Sequence, residues 1–356
     1  MTILCCVFLD LWAGFMFIPA QPGVWSPHYH HDLKVSYKAV ERWGPTSYEL
    51  RTNSMGFRDQ DTRTVKLSDS RYRILFLGDS FTQGLGCAYE KTFVGLTANS
   101  LGPNEYEVLN GGVVSYSPKL YHLKLKYLLE VKKMKLDAVV VFLDISDIQD
   151  EIVYGLFYPD QLQSGMPIHA FLKNNSLIYY AINGFFDIPL DRHKDVSSQI
   201  SAGLRSMCKR MRNLVIPEKE IDVYEKYASE RAEWAYDKEV FDKWGRKGLG
   251  LATAHMEKIH DLCVSNKIPL LMAIYPWPCQ ILRRELASIH TEHWAGFCAA
   301  KNIPLLNYFP VFINMPDKTP PQVIDNYFLS GDVHWNEQGH QLIAEQLKPW
   351  LTAHLK

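Results

Sequence analysis

A serine, an aspartate and a histidine stand in two short stretches whose surroundings suit covalent chemistry. In Arg73-Ile-Leu-Phe-Leu-Gly-Asp-Ser-Phe-Thr-Gln-Gly84 an apolar run stops at Gly78, and Asp79 and Ser80 follow at once. A free hydroxyl is a poor nucleophile near neutral pH, so such a serine needs a base beside it. The stretch Ser330-Gly-Asp-Val-His-Trp-Asn-Glu-Gln-Gly-His340 supplies a candidate. Asp332 and His334 lie close enough for the carboxylate to accept from imidazole Nδ1–H, which leaves Nε2 free to take a proton. Ser80, His334 and Asp332 are therefore the candidate catalytic residues, and the chemistry is acyl transfer through a serine ester.

The elements that must position them follow a strand–helix rhythm. Ile74 to Leu77 is a continuous apolar run, as in a parallel strand buried on both faces, and ligands bind at the carboxyl edge of such sheets. Tyr106–Leu109, Asp137–Leu143, Ile268–Tyr275 and Ile303–Leu306 read as four further strands. Between them, 90–101, 118–135 and 250–266 carry helical spacing, with Gly102-Pro103 as a stop signal. Asn336 is the expected cap of a terminal helix through Leu342, Ile343, Leu347 and Trp350. Trp277 and Gln280, in the loop after the fourth strand, are expected to meet substrate, as are Asp79, Asp147 and Trp335 beside the motif residues.

These two blocks resemble the SGNH/GDSL hydrolase superfamily. The resemblance rests on Gly78-Asp-Ser80, Phe-Thr-Gln-Gly84 and the closing Asp-x-His before an Asn and Gly339-His340. It implies a flavodoxin-like three-layer α/β/α sandwich, a Ser-His-Asp triad, and oxyanion donors from the Ser80 amide, a glycine after the second strand and an asparagine after the third. Gly112, in Asn110-Gly-Gly112, matches the glycine. The asparagine does not match: Asp144-Ile-Ser-Asp147 stands where Gly-x-Asn-Asp is expected, so Ser146 takes that place. In a membrane-associated or secreted subset of the superfamily, a segment like Asn53-Ser-Met-Gly-Phe-Arg-Asp59 precedes the first strand. Arg58 is expected to pin a turn there or to brace a carboxylate.

At 356 residues, with 47% hydrophobic and 22% charged residues, the chain is a folded protein larger than one typical domain. With 38 basic and 39 acidic residues it has no basic excess for nucleic acid. Its 7 cysteines show no CxxC or Cys/His ligand spacing, and neither His28-Tyr-His-His31 nor the pair His290 and His293 has a further ligand at suitable spacing. A polar loop and surface histidines are the expected readings, with no metal and no cofactor. Residues 1–20 are apolar apart from Asp10 and read as a membrane anchor, an export signal or a segment packed on the core. Residues 21–70 read as linker and extension, 71–147 with 250–356 as the catalytic domain, and 148–249 as a largely helical, aromatic-rich insertion or lid.

The leading expectation is an esterase acting on an O-acyl group of a carbohydrate or other small substrate. One alternative is an O-acetyltransferase on a cell-envelope polysaccharide, partnered with a membrane-bound acyltransferase; another is a non-catalytic glycan-binding module. The cell envelope is the expected location, with the cytoplasm as alternative.

Overall fold

The apolar runs become the strands of one parallel sheet: β1 (Tyr72–Leu77), β2 (Tyr106–Asn110), β3 (Ala138–Leu143), β4 (Leu270–Ile274) and β5 (Leu305–Asn307). Their order is β2-β1-β3-β4-β5, all neighbours parallel, with Leu75 opposite both Leu109 and Val139, and Ile274 opposite Leu143 and Asn307. This computed structural model describes residues 2–17, 22–44, 46–159, 172, 175–186 and 230–355. Every residue of β3 and β4 is buried, as a central strand covered on both faces requires.

Helices cover the two faces. The short α1 (Ser80–Gln83) follows β1, and α2 (Phe93–Leu101) packs with the terminal α7 (Glu337–His354) on one face. On the other, α5 (Arg246–Asn266) packs against both α3 (Pro118–Lys126) and α4 (Asp147–Val153), while α6 (Ile289–Lys301) lies by β5. The result is a three-layer α/β/α sandwich. Asn336 caps α7 as its sequence predicts, accepting from Gly339 N at 3.0 Å, and Ile343 and Leu347 enter the core.

The chain divides into two compact units, His28–Pro159 with Glu220–Lys356, and Met1–Pro27 with Asp160–Lys219. The larger unit takes in most of the stretch read as linker and extension. Leu33, Leu50, Phe57 and Val65 are all buried, and Asp32 pairs with buried Lys124 at 2.8 Å. Sequence reading missed this because in the hairpin of Lys38–Trp43 and Thr46–Arg51 the apolar Val40 stands outward while Glu41 is the more buried, which breaks the alternation of the first strand. The ends of the expected insertion also belong to this unit. Trp234 is fully buried and donates to Ile145 O at 3.0 Å.

In the smaller unit the apolar amino terminus forms a helix, Thr2–Phe17, packed with the helix Leu177–Phe186. Its one charge has a structural role: Asp10 accepts from Ser176 Oγ at 2.5 Å and from Ile178 N at 2.8 Å, satisfying the first turn of the second helix. Among the described residues no helix is long and apolar enough to cross a membrane. Much of the stretch 148–249 expected as an insertion or lid, including 160–171 and 187–229, lies outside the described residues.

Candidate active site

Ser80 opens α1 where β1 ends. Asp79 caps that turn, accepting from Phe81 N at 2.9 Å. A Cβ on Gly78 would lie 2.0 Å from Thr82 Oγ1, so only glycine lets β1 turn this sharply into α1. Behind the turn, Arg58 is buried and donates to the carbonyls of Gln83, Gly84 and Cys87. Of the two roles expected for Arg58, the structure gives it the turn: it grips main-chain carbonyls rather than a carboxylate. Asn53 organises the same segment, its Oδ1 accepting from Met55 N at 3.0 Å and its Nδ2 donating to Asp59 at 2.9 Å.

His334 arrives from the far end of the chain, in the turn between a bridge at Phe328 and the start of α7. His334 Nε2 lies 2.8 Å from Ser80 Oγ, and its Nδ1 lies 2.6 Å from Asp332 Oδ1. Asp332 Oδ1 also accepts from His334 N at 3.0 Å, and its second oxygen accepts from Trp43 Nε1 at 2.6 Å. Burial works to raise the Asp332 carboxyl, but the hydrogen bonds and charge of His334, with Trp43, outweigh it and hold Asp332 below the usual range. The imidazole is fixed by rings on two sides: Phe81 at 4.7 Å and Trp43 edge-on at 5.2 Å between centroids. Trp43, from the hairpin, is a site residue that sequence reading missed; a lone tryptophan in a polar strand carries no signal of its partner 289 positions away.

The expected oxyanion donors are placed differently. The Gly112 amide donates to Asn110 Oδ1 at 3.0 Å, so it is already spoken for. A Cβ on Gly112 would sit 2.5 Å from Gln83 N and 2.7 Å from Thr82 C, and this close approach to α1 is what the glycine permits. Ser146 does line the site, but its Oγ donates to Asp144 Oδ1 at 2.6 Å and its amide to the same oxygen at 2.7 Å. The Ser80 amide, first in its helix, has no acceptor among the described residues.

Beneath Ser80, carboxyl oxygens of Asp79, Asp144 and Asp147 lie within 4.8 Å of one another, all buried. Their donors are close by: Tyr275 OH to Asp79, Trp277 Nε1 to Asp144 at 2.7 Å, and Tyr121 OH to Asp147 at 2.8 Å. Burial first, then the Asp144 charge, pushes Asp79 well above the usual carboxylate range. Burial, with Asp79 and Asp144 beside it, does the same to Asp147. Both carboxyls are therefore harder to ionise than exposed ones, because burial and the neighbouring acids both disfavour their charged forms.

The cavity at Ser80 has a volume of about 260 Å³. Trp43, Phe81, Val114, Trp277 and Val333 give it apolar walls; Asp79, Ser115, Ser146, Asp150, Arg231 and His334 supply its polar edge. Of the expected substrate contacts, Asp79 and Trp277 face this space. Gln280, Trp335 and Asp147 do not. Gln280 is buried and its Oε1 accepts from Trp277 N at 3.0 Å, capping the helix Pro278–Arg283. Trp335 is fully buried among Phe81, Tyr275 and Phe312, and Asp147 belongs to the buried carboxyl cluster. Gln280 and Asp147 follow strand ends and Trp335 follows His334, but their side chains turn into the core.

The histidines expected on loops and surfaces are also largely packed. His290 is buried against Trp234 and pushed down to about 3 by desolvation, while His293 pairs with Thr253 Oγ1 at 2.7 Å. His31 Nε2 lies 2.9 Å from Val114 O and supports the loop that walls the cavity.

No protein-family model matches the chain, and no curated protein does. Among solved structures, the chain aligns with the acetyl xylan esterase AlAXEase at 14% identity and a TM-score of 0.39, over 77% of this chain and 97% of that one. It aligns with the lipase/acylhydrolase from Enterococcus faecalis at 12% identity and a TM-score of 0.36, over 80% and 97%. The psychrotrophic esterase EstA from Pseudoalteromonas sp. aligns at 11% identity and a TM-score of 0.39, over 79% and 97%. The chain's structural neighbours are GDSL-type lipolytic hydrolases and esterases, at identities and TM-scores that record a likeness and nothing beyond it.

Proposed function

We propose that the chain is a serine ester hydrolase of the SGNH/GDSL type that releases a small acyl group from an alcohol, with a carbohydrate O-acyl ester as the preferred substrate class. The observation that carries this reading is the unbroken relay from Ser80 Oγ to His334 Nε2 at 2.8 Å and from His334 Nδ1 to Asp332 at 2.6 Å, opening on a cavity. In this reading Ser80 Oγ attacks the ester carbonyl while His334 Nε2 takes its proton, and the carbonyl π pair moves onto oxygen. Asp332 stabilises the imidazolium. The tetrahedral centre collapses, the C–O bond to the alcohol breaks, and the departing oxygen takes the proton from His334. Water, deprotonated by the same nitrogen, then cleaves the acyl-serine. A cavity of about 260 Å³ suits an acetyl-sized acyl group, and the rings of Trp43 and Trp277 offer the apolar surface that a sugar face requires.

Turnover of p-nitrophenyl acetate by the wild-type chain and by Ser80→Ala is the test. Release that disappears in Ser80→Ala supports the reading; release unaffected by that substitution overturns it. Running the assay with oligosaccharide acceptors separates hydrolysis from acyl transfer, since a transferase leaves the acetyl group on the sugar.

A further inference from the structure

We infer that Arg231 is the cationic oxyanion donor of this site, a catalytic residue in the place that the superfamily resemblance gives to an asparagine. The inference rests on the hydrolase reading and asks what stabilises the charge that the reaction creates. When Ser80 Oγ bonds to the carbonyl carbon, a full negative charge develops on the former carbonyl oxygen, and preorganised donors aimed at it are commonly the largest single catalytic effect.

Three side-chain donors around the cavity are already occupied. Trp43 Nε1 is held by Asp332, and Trp277 Nε1 and Ser146 Oγ by Asp144. Ser115 also lines the cavity and offers only a neutral hydroxyl. The Gly112 amide is held by Asn110, which leaves the Ser80 amide as a single neutral donor from the expected set.

Arg231 meets the need by position and by construction. It lines the same cavity as Ser80 and His334. Its Nε donates to Gln149 Oε1 at 2.9 Å, and its Nη2 donates to Asp150 Oδ2 at 2.6 Å and reaches Ser146 O at 3.4 Å. The guanidinium is thus anchored along one edge, beside the residue that replaces the missing asparagine. Nη1 has no partner among the described residues, so the planar fork is held fixed with one end unspent. A rigid donor that needs no reorganisation during the reaction is what charge stabilisation demands. The anchoring carboxylate comes from α4, which starts directly after Ser146, so the third strand end and Arg231 form one unit.

The experiment compares wild type, Arg231→Gln, Arg231→Lys and Ser80→Ala, as full chains, on neutral p-nitrophenyl acetate and on the anionic hemiester p-nitrophenyl succinate. The expected result is a fall in kcat of about 100-fold or more for Arg231→Gln on both esters, with KM changed less than about threefold. Arg231→Lys keeps the cation but loses the fork, so it is expected to lose about tenfold in kcat; this arm carries the test if Arg231→Gln melts early. Guanidinium ion added to Arg231→Gln should restore part of kcat and do nothing for Ser80→Ala. The inference is overturned if both variants keep kcat within about threefold, or if the loss is confined to KM for the hemiester, which would make Arg231 a reader of substrate charge. Absence of Ser80-dependent release from the wild type overturns the hydrolase reading itself, and this inference with it.

Discussion

Replacing Trp43 with phenylalanine removes the indole Nε1–H and trims the ring system. An aromatic ring beside His334 is kept in place of the indole that stands edge-on at 5.2 Å, while the Nε1–H that donates to Asp332 Oδ2 at 2.6 Å is lost. Asp332 is only 8% exposed at its side chain, so water does not readily replace the donor. A hydrogen bond to a charged acceptor is worth about 1.5–3 kcal/mol. If that loss is felt mainly as the imidazolium forms, kcat falls about 10- to 100-fold, at about 1.4 kcal/mol per factor of ten. The ceiling is set by losing the aspartate's role altogether, roughly 10⁴-fold. Stability adds a second readout. Trp43 is among the groups that hold the Asp332 carboxyl below its usual range, so the stability from this group is present above the ordinary carboxylate value and lost as pH falls through the folded one, and in Trp43→Phe that loss begins at higher pH. Steady-state kinetics on p-nitrophenyl acetate at neutral pH and melting temperatures from pH 2 to 7 check the two effects. An unchanged kcat with an unmoved acid limb of stability would refute the assignment of Trp43 as the residue that positions Asp332.

Three further substitutions test the scaffold. Gly112→Ala places a Cβ within 2.5 Å of Gln83 N, a backbone atom that cannot yield, so a loss of about 1–3 kcal/mol in urea unfolding and a drop in Ser80-dependent turnover are expected; wild-type stability would show that the loop relaxes freely. Arg58→Met strips donors from the carbonyls of Gln83, Gly84 and Cys87 and should cost on the order of 3 kcal/mol, read from the same urea midpoint, with near-wild-type stability as the contrary result. Asp147→Asn tests the buried carboxyl cluster. Burial raises the Asp147 carboxyl in the folded chain, so the wild type's stability from this group is present at low pH and declines as pH rises above the ordinary carboxylate value. The variant lacks that slope, so its melting temperature should gain on wild type between pH 5 and pH 8; a difference that stays constant would count against a raised Asp147 carboxyl.

The sheet was legible because its strands are apolar on both faces and its helices are amphipathic, two periods that a sequence states openly. The approach of Ser80, His334 and Asp332 was legible for a similar reason: Gly78-Asp-Ser80 and Asp332-Val-His334 are local patterns, and the structure brings the three side chains within hydrogen-bond distance. What stayed hidden depends on side chains meeting across long sequence distances. Trp43 sits in the stretch read as linker and extension and Arg231 in the stretch read as an insertion or lid, and no local pattern marks either as a neighbour of Ser80. Gln280 and Trp335 show the converse. Each follows a strand end or a motif residue, yet each is buried, because a position near a site does not decide which way a side chain turns.

The departure of Asp144-Ile-Ser-Asp147 from the asparagine-bearing pattern now has a physical context. Asp144 Oδ1 draws in both donors of Ser146, and Asp144 Oδ2 draws in Trp277 Nε1, so this carboxylate spends the local neutral donors on structure. A strand end organised in this way gathers acid beneath the nucleophile: Asp79, Asp144 and Asp147, with Asp150 one helical turn further on. Unrelieved, that field would oppose the oxyanion that acyl transfer must form. The structure relieves it twice. Burial makes Asp79 and Asp147 harder to ionise, which lowers the charge gathered there, and Arg231 lies against Asp150, which offsets more of it. Asp150 itself is pushed up to about 6 by burial, against the pull of Arg231. Below that pH the carboxylate is protonated and Arg231 loses its ionic anchor; above it the fork is held. Ser146 held by Asp144 and Arg231 held by Asp150 thus belong to one electrostatic arrangement. Restoring the donor alone tests that link: Ser146→Asn in the Arg231→Gln background should recover kcat only as far as the amide can free itself from Asp144, and full recovery would show that the acidic cluster places no demand on a cation.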